Sequence, residues 1–110
     1  MSNCDLISKK CVPCEGGAPL AAHDEQRLHL EIPIWKLDRE GIHKLSRSFK
    51  FKDFVEAMAF VNKVAVLAEA EGHHPELHIS YNKVMIELYT HAVGGLSEND
   101  FIVAAKIDRI

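Results

Sequence analysis

The chain has 110 residues, of which 47% are hydrophobic and 26% are charged, an ordinary balance for one soluble globular domain. Thirteen Lys and Arg residues against sixteen Asp and Glu residues give a net charge of −3. This charge is a poor match for nucleic acid or for an anionic membrane surface, so neither is an expected partner. No apolar run approaches the roughly 20 residues that span a bilayer. The polar N-terminus has no secretory signal, and a cytoplasmic location is expected.

All three cysteines lie within residues 1–19, a segment with several Pro and Gly residues that we predict to be an extended arm. An odd number of cysteines confined to one end does not make a disulfide framework. Besides a simple arm with exposed thiols, two alternatives remain open. One is a zinc site made by Cys4, Cys11, Cys14 and His23, although zinc sites usually show two paired motifs. The other is a redox role, for which the expected βαβ context is absent from the sequence.

Residues 20–110 are predicted to form the folded domain, which opens with a short helix over residues 20–29. Residues 34–37 are apolar and aromatic, and a turn containing Gly41 separates them from residues 44–51, which alternate in polarity. Period-two alternation beside a glycine-containing turn is typical of a β-hairpin.

A long helix is predicted next, over residues 54–71. Asp53 and Glu56 have the spacing of a capping box, and Gly72 stands where a left-handed residue often ends a helix. Apolar residues recur between these ends at three- and four-residue steps, so one face of the helix is expected in the core.

Residues 77–81 and 84–91 alternate in polarity around a turn at Asn82, which predicts a second hairpin. Ser97 and Asp100 then have the spacing of a second capping box, before a final helix. The order α-β-β-α-β-β-α predicts the α+β class. We expect a single domain with a four-stranded antiparallel sheet and three helices packed on one face.

Seven histidines among 110 residues are the unusual feature of the composition. His73 and His74 lie at a helix-to-strand joint that Pro75 stiffens, and pairing of the second hairpin would bring His91 towards them. Three imidazoles at one end of a hairpin have three interpretations. They are ordinary surface or core residues, or they hold Zn²⁺ or Fe²⁺, although no HExxH helix or His₂-carboxylate spacing supports a metal. The third is general acid–base chemistry on a small polar molecule, because imidazole titrates near neutral pH.

Three further side chains could belong to such a site. Glu69 lies one helical turn before the histidine pair and could accept hydrogen bonds from a ligand. Tyr89 shares a strand face with His91, and Asp100 could act in catalysis, although its spacing from Ser97 favours a role at the start of a helix. Without a role in the site, Glu69 would be an ordinary solvated carboxylate on a helix. Tyr89 would be an exposed aromatic residue on a strand.

The run EGHHPELHISYNKVMIELYTHAVGGLSENDF, residues 71–101, resembles the pterin-4a-carbinolamine dehydratases. The segment Phe49-x-Phe51-x-Asp53-Phe54 and the helix after it fit the same family. The resemblance covers about residues 20–110 and leaves out the N-terminal arm. Four groups of residues carry it: Glu69-x-x-x-His73-His74-Pro75, Tyr81-Asn82-Lys83-Val84, Thr90-His91, and Gly95-Leu96-Ser97 with Asp100.

The resemblance implies the fold derived above and a lyase that dehydrates 4a-hydroxytetrahydropterin to quinonoid dihydropterin. This reaction recycles the tetrahydrobiopterin-type cofactor of aromatic amino acid hydroxylases, and it implies no metal or organic cofactor for the enzyme itself. A homodimer or homotetramer is expected. The alternative is an oligomeric interaction module without essential catalysis, since some family members resemble dimerisation partners of a homeodomain transcription factor.

The resemblance also implies roles for individual residues. The active-site histidines of the family correspond to His73, His74 and His91, and the residues expected to contact substrate are Glu69, Pro75, Tyr89 and Thr90. Asp100 is a further candidate. Gly72 and Ala92 stand where some relatives have Asp and Glu, so two carboxylates that could raise a histidine pKa are missing. His74 is the expected general acid or base, because Pro75 restricts its backbone most directly.

Overall fold

The computed structural model describes residues 6–11 and 18–110, and its order of helices and strands is the predicted one. The helices are α1 (Ala22–His29), α2 (Phe54–Glu71) and α3 (Glu98–Ile107). The strands are β1 (Lys36–Asp38), β2 (Lys44–Lys50), β3 (Glu76–Ser80) and β4 (Lys83–Leu88). Short 3₁₀ turns cover Leu6–Ser8 and His91–Val93. The predicted α+β fold is confirmed.

The four strands form one antiparallel sheet in the order β1-β2-β4-β3. Tyr81, with φ of 52°, and Asn82 turn the chain between β3 and β4. The register pairs Glu76 with Glu87. If this register continues for three residues beyond Glu76, the joint before β3 lies opposite the end of β4 and the segment that follows it. The joint consists of residues 73–75.

The core lies between one face of the sheet and the three helices. Alternate residues of the central strands are fully buried on this face: Leu45, Val84, Ile86 and Leu88. Helix α3 is the most enclosed helix, because eight of its ten residues are buried. On the opposite sheet face, Ser48 is exposed and Met85 is half-buried. The helices therefore pack on one face, as the alternating pattern predicts.

The ends of α2 follow the sequence signals closely. The side chain of Asp53 accepts a hydrogen bond from the Glu56 N–H at 2.9 Å. The Glu56 carboxylate accepts from the Lys52 N–H, so the return bond of the capping box is displaced by one residue. Gly72 is left-handed, with φ of 67°, and ends the helix immediately before His73.

Two strand boundaries differ from the prediction by more than one residue. Strand β1 begins at Lys36 rather than at residue 34, and Ile34 is exposed in a turn. Strand β4 ends at Leu88, so the alternation through His91 overextends it. Thr90 instead bridges Gly95 across a tight turn, which places His91 in a 3₁₀ turn.

Residues 6–11, part of the predicted extended arm, pack against the domain. Leu6 belongs to the hydrophobic core and is 2% exposed. The Lys9 ammonium lies 2.5 Å from the Glu98 carboxylate, and the Cys11 N–H donates to Glu71 at 2.9 Å. The zinc alternative includes Cys4 and Cys14, and these two residues lie outside the described part of the chain, so neither the zinc nor the redox alternative is tested. Within that part, no helix is both long and apolar enough to cross a membrane.

Candidate active site

The most enclosed part of the candidate site is a contact between His73 and Asp100. His73 Nε2 lies 2.6 Å from Asp100 Oδ1, across the gap between the end of α2 and the start of α3. The Asp100 side chain is fully buried and that of His73 is 13% exposed. Burying a carboxylate is costly unless its oxygens are hydrogen-bonded, and both oxygens of Asp100 have partners.

The second oxygen of Asp100 accepts hydrogen bonds from two residues. Thr90 Oγ1 donates at 2.8 Å, and the backbone N–H of Ser97 donates at 2.9 Å. Thr90 Oγ1 also lies 2.7 Å from Ser97 Oγ. Asp100 therefore caps α3 with one oxygen and contacts His73 with the other, so the helix-start role and a role in the site coexist.

His74 has a different environment, because it points away from this buried network. Its Nε2 lies 2.6 Å from Glu69 Oε2, and the two side chains are 59% and 79% exposed. An exposed pair of this kind contributes little to stability, but it leaves an imidazole open to solvent beside a carboxylate. His74 is thus the more accessible of the two adjacent histidines.

His91 lies against Tyr89, with ring centroids 4.6 Å apart. The Tyr89 hydroxyl donates to Glu76 at 3.0 Å, and this hydrogen bond raises the pKa of Tyr89 above its ordinary value. Glu76 directly follows Pro75, which is half-buried in the joint. Tyr89 therefore connects the 3₁₀ turn that carries His91 with the start of β3.

The structure joins the sequence-predicted residues in three groups rather than in one cluster. His73, Thr90 and Asp100 share one hydrogen-bonded network, His74 pairs with Glu69, and His91 packs on Tyr89. Thr90 precedes His91 in the chain, so the first and third groups are adjacent. Ser97 is a network member that the sequence reading treated only as a helix cap. Its capping-box spacing was the signal that could have identified it.

One group of side chains in the described part of the chain could hold a metal ion. Donor atoms of Glu76, His78 and Glu87 lie within 4.8 Å of one another on the face of the sheet that the helices leave open. His78 Nε2 lies 3.2 Å from Glu87 Oε1. A surface cavity of about 460 Å³ is also partly lined by His78, together with Met85 and residues of β2, and includes none of the predicted catalytic histidines.

Cys11 and Glu71 form a second enclosed contact beside the site. Burial, and then the nearby Glu71 carboxylate, raise the pKa of the Cys11 thiol to about 12. Burial opposes ionisation of Glu71, but the Cys11 N–H and the Lys106 ammonium hold the pKa of this carboxyl below its usual value. Glu71 is therefore charged at neutral pH, while the Cys11 thiol stays protonated.

The sequence and the fold both match proteins of one family. The sequence profile described as pterin 4 alpha carbinolamine dehydratase matches residues 18–110. A protein of Chlorobium limicola, provisionally named a pterin-4-alpha-carbinolamine dehydratase, is 52% identical over 104 residues, which is 93% of this chain and 92% of that protein. A similarly named protein of Methylococcus capsulatus is 45% identical over 100% of this chain and 96% of its own length. The chain belongs to the pterin-4-alpha-carbinolamine dehydratase family, and it is a lyase, as expected.

Two solved structures share the fold. A protein of Brucella melitensis described as a transcriptional coactivator/pterin dehydratase is 33% identical, with a TM-score of 0.76 over 83% of this chain and 96% of that one. A pterin dehydratase-like protein identified as a RuBisCO assembly factor in the alpha-carboxysome is 25% identical, with a TM-score of 0.58 over 68% of this chain and 86% of that one. The fold therefore occurs in proteins described by different roles.

Proposed function

We propose that this protein converts a 4a-hydroxytetrahydropterin into the quinonoid dihydropterin and water. The observation that carries the proposal is the His73–Asp100 contact at the joint before β3, in a chain of the dehydratase family. The buried carboxylate fixes one imidazole, while the adjacent His74 stays open to solvent. A fixed orienting group beside an accessible proton carrier is an arrangement suited to acid–base chemistry.

In the proposed reaction the bond between C4a and the hydroxyl oxygen breaks. His74 delivers a proton to this oxygen, so that it leaves as water, and a ring N–H of the pterin loses a proton as the nitrogen electrons form the new double bond. Glu69 holds the His74 ring, His73 and His91 orient the hydroxyl, and one of these two imidazoles accepts the proton that the ring N–H loses. Each proton-transfer role contributes roughly 10²–10⁴ in rate.

Substrate contacts are proposed for four residues around these histidines: Glu69, Pro75, Tyr89 and Thr90. Tyr89 offers its ring beside His91, and Pro75 shapes the joint. Asp100 supports the site through His73 rather than by touching the pterin, since its side chain is fully buried. The proposed role in the cell is cytoplasmic recycling of the pterin cofactor of aromatic amino acid hydroxylases.

Purified protein should accelerate dehydration of a synthetic 4a-hydroxytetrahydropterin, followed by the ultraviolet absorbance of the product. We expect the same rate after dialysis against EDTA, because the proposed chemistry uses imidazoles only. His78→Ala provides a control, since it removes a donor from the one metal-compatible group of the described residues. Activity that is lost with EDTA and restored by a metal would contradict the proposal.

The histidines should contribute unequally to turnover. His74→Ala should lower kcat by about 10²-fold with little change in KM, because proton transfer is needed mainly in the transition state. His73→Ala and His91→Ala should change both constants, because both residues orient the substrate. The measurement is steady-state kinetics of these three variants and of His78→Ala, with folding checked by circular dichroism. Near-wild-type kcat in folded His74→Ala, or a large loss in His78→Ala, would place the site elsewhere.

We also propose that the protein is a homodimer or homotetramer that uses the outer face of α2. Val55 and Val66 lie on this face, about three helical turns apart, and are 77% and 72% exposed, so an interface there would remove apolar side chains from water. Light scattering should give a mass that is a multiple of 12.4 kDa, and Val66→Glu should lower it. A wild-type mass of one chain at micromolar concentration would contradict this proposal.

The alternative function is an interaction module without essential catalysis. This alternative is supported by the descriptions of the two similar solved structures, one as a transcriptional coactivator/pterin dehydratase and the other as a RuBisCO assembly factor. An oligomer that is folded but inactive in the dehydration assay would support this alternative and exclude the enzymatic proposal.

A further inference from the structure

Glu71 is a nearly buried carboxylate to which the proposed reaction gives no role. It is the last residue of α2 and lies two positions before His73, and its side chain is only 7% exposed. One of its oxygens accepts the Cys11 N–H at 2.9 Å, and the other lies 2.6 Å from Lys106 Nζ. Glu71 thus joins three separate segments of the chain.

Two contacts connect the end of α2 to α3 in parallel. The pair of Glu71 and Lys106 forms one, and the pair of His73 and Asp100 forms the other. Gly72 lies between Glu71 and His73, and the backbone N–H groups of Gly72 and His73 both donate to the Ala68 carbonyl oxygen, at 2.9 and 3.2 Å. These backbone bonds hold the turn against α2, whereas the two side-chain contacts on either side of Gly72 hold it against α3.

The packed N-terminal segment contacts the same two helix ends. Lys10 Nζ lies 3.4 Å from the carbonyl oxygen of Ala70, at the end of α2. Cys11 Sγ lies 3.7 Å from the carbonyl oxygen of Asn99, the residue before Asp100. The segment therefore lies across the gap that His73 and Asp100 span.

We propose that Glu71 is a positioning residue, whose bonds to Lys106 and to the Cys11 N–H set the separation across which His73 reaches Asp100. Loss of the Glu71 charge should therefore shift the position of His73. Small misplacements of an orienting group are costly in catalysis, so this shift should also lower the reaction rate. The expected loss of activity on removing Glu71 rests on the proposed dehydratase function. The expected displacement of His73 does not.

The first test is the variant Glu71→Gln, which keeps an acceptor for the Cys11 N–H but loses the charge opposite Lys106. We expect kcat/KM to fall about tenfold. In a His73→Ala background the same substitution should change kcat/KM by less than about twofold, because a residue that acts through His73 has no further effect once this imidazole is absent. An equal loss in both backgrounds would indicate a general structural effect and overturn the proposal.

Glu98→Gln is the matched control for this experiment. It also removes the charge of a glutamate paired with lysine, in the contact between Lys9 and α3, but it leaves the end of α2 untouched. This variant should keep kcat/KM within about twofold of the wild type. A loss as large as that of Glu71→Gln would mean that any weakening of α3 disturbs the site, which contradicts a specific role for Glu71.

The second test needs no activity. Nuclear magnetic resonance of the ring nitrogens should show the His73 signals shifted in Glu71→Gln and unchanged in Glu98→Gln. His29, whose ring contacts the Trp35 carbonyl, is an internal reference that should not move in either variant. Unchanged His73 signals in Glu71→Gln would overturn the proposal. If the wild type lacks dehydratase activity, the proposed function fails, and these signals alone decide whether Glu71 positions His73.

Discussion

The candidate site depends on the buried carboxylate of Asp100. This group is removed from water, a position that is costly for a charge unless it is hydrogen-bonded on all sides. Its partners come from three places: the start of α3, the segment after β4, and the joint before β3. One side chain therefore fixes the relative positions of the three segments that carry the site.

The sheet register makes this convergence possible. Because Glu76 pairs with Glu87, the chain enters β3 at the same end at which it leaves β4. Helix α2 ends there too, since Gly72 turns the chain directly into His73. The fold thus brings two chain segments to one edge of the sheet, and the start of α3 closes the site from the helical face.

The sequence predicted the repeating elements well, because helix and strand periodicities and helix caps are local signals. Helix α2 is an example: its predicted ends, capped by Asp53 and terminated by Gly72, are those of the structure. The end of β4 was mispredicted because the polarity alternation continues to His91, while a tertiary contact, the bridge between Thr90 and Gly95, turns the chain earlier.

Parts of the candidate site were harder to predict from the sequence. The spacing of His73, His74 and Pro75 identified the joint, but no local pattern indicates that His73 faces a buried carboxylate 27 residues later while His74 faces solvent. The contacts of Glu71 were equally hard to predict, because its partners Cys11 and Lys106 lie 60 and 35 residues away in the chain. Contacts at such separations follow from the packing of the helices.

The most direct test of the account is the dehydration kinetics of Asp100→Asn. Asparagine keeps the shape and an oxygen acceptor for the Ser97 N–H, so the variant should fold, but it removes the charge beside His73. The account predicts a folded protein, by circular dichroism, whose kcat/KM is at least about tenfold below that of the wild type. A folded Asp100→Asn protein with wild-type kcat/KM would contradict it.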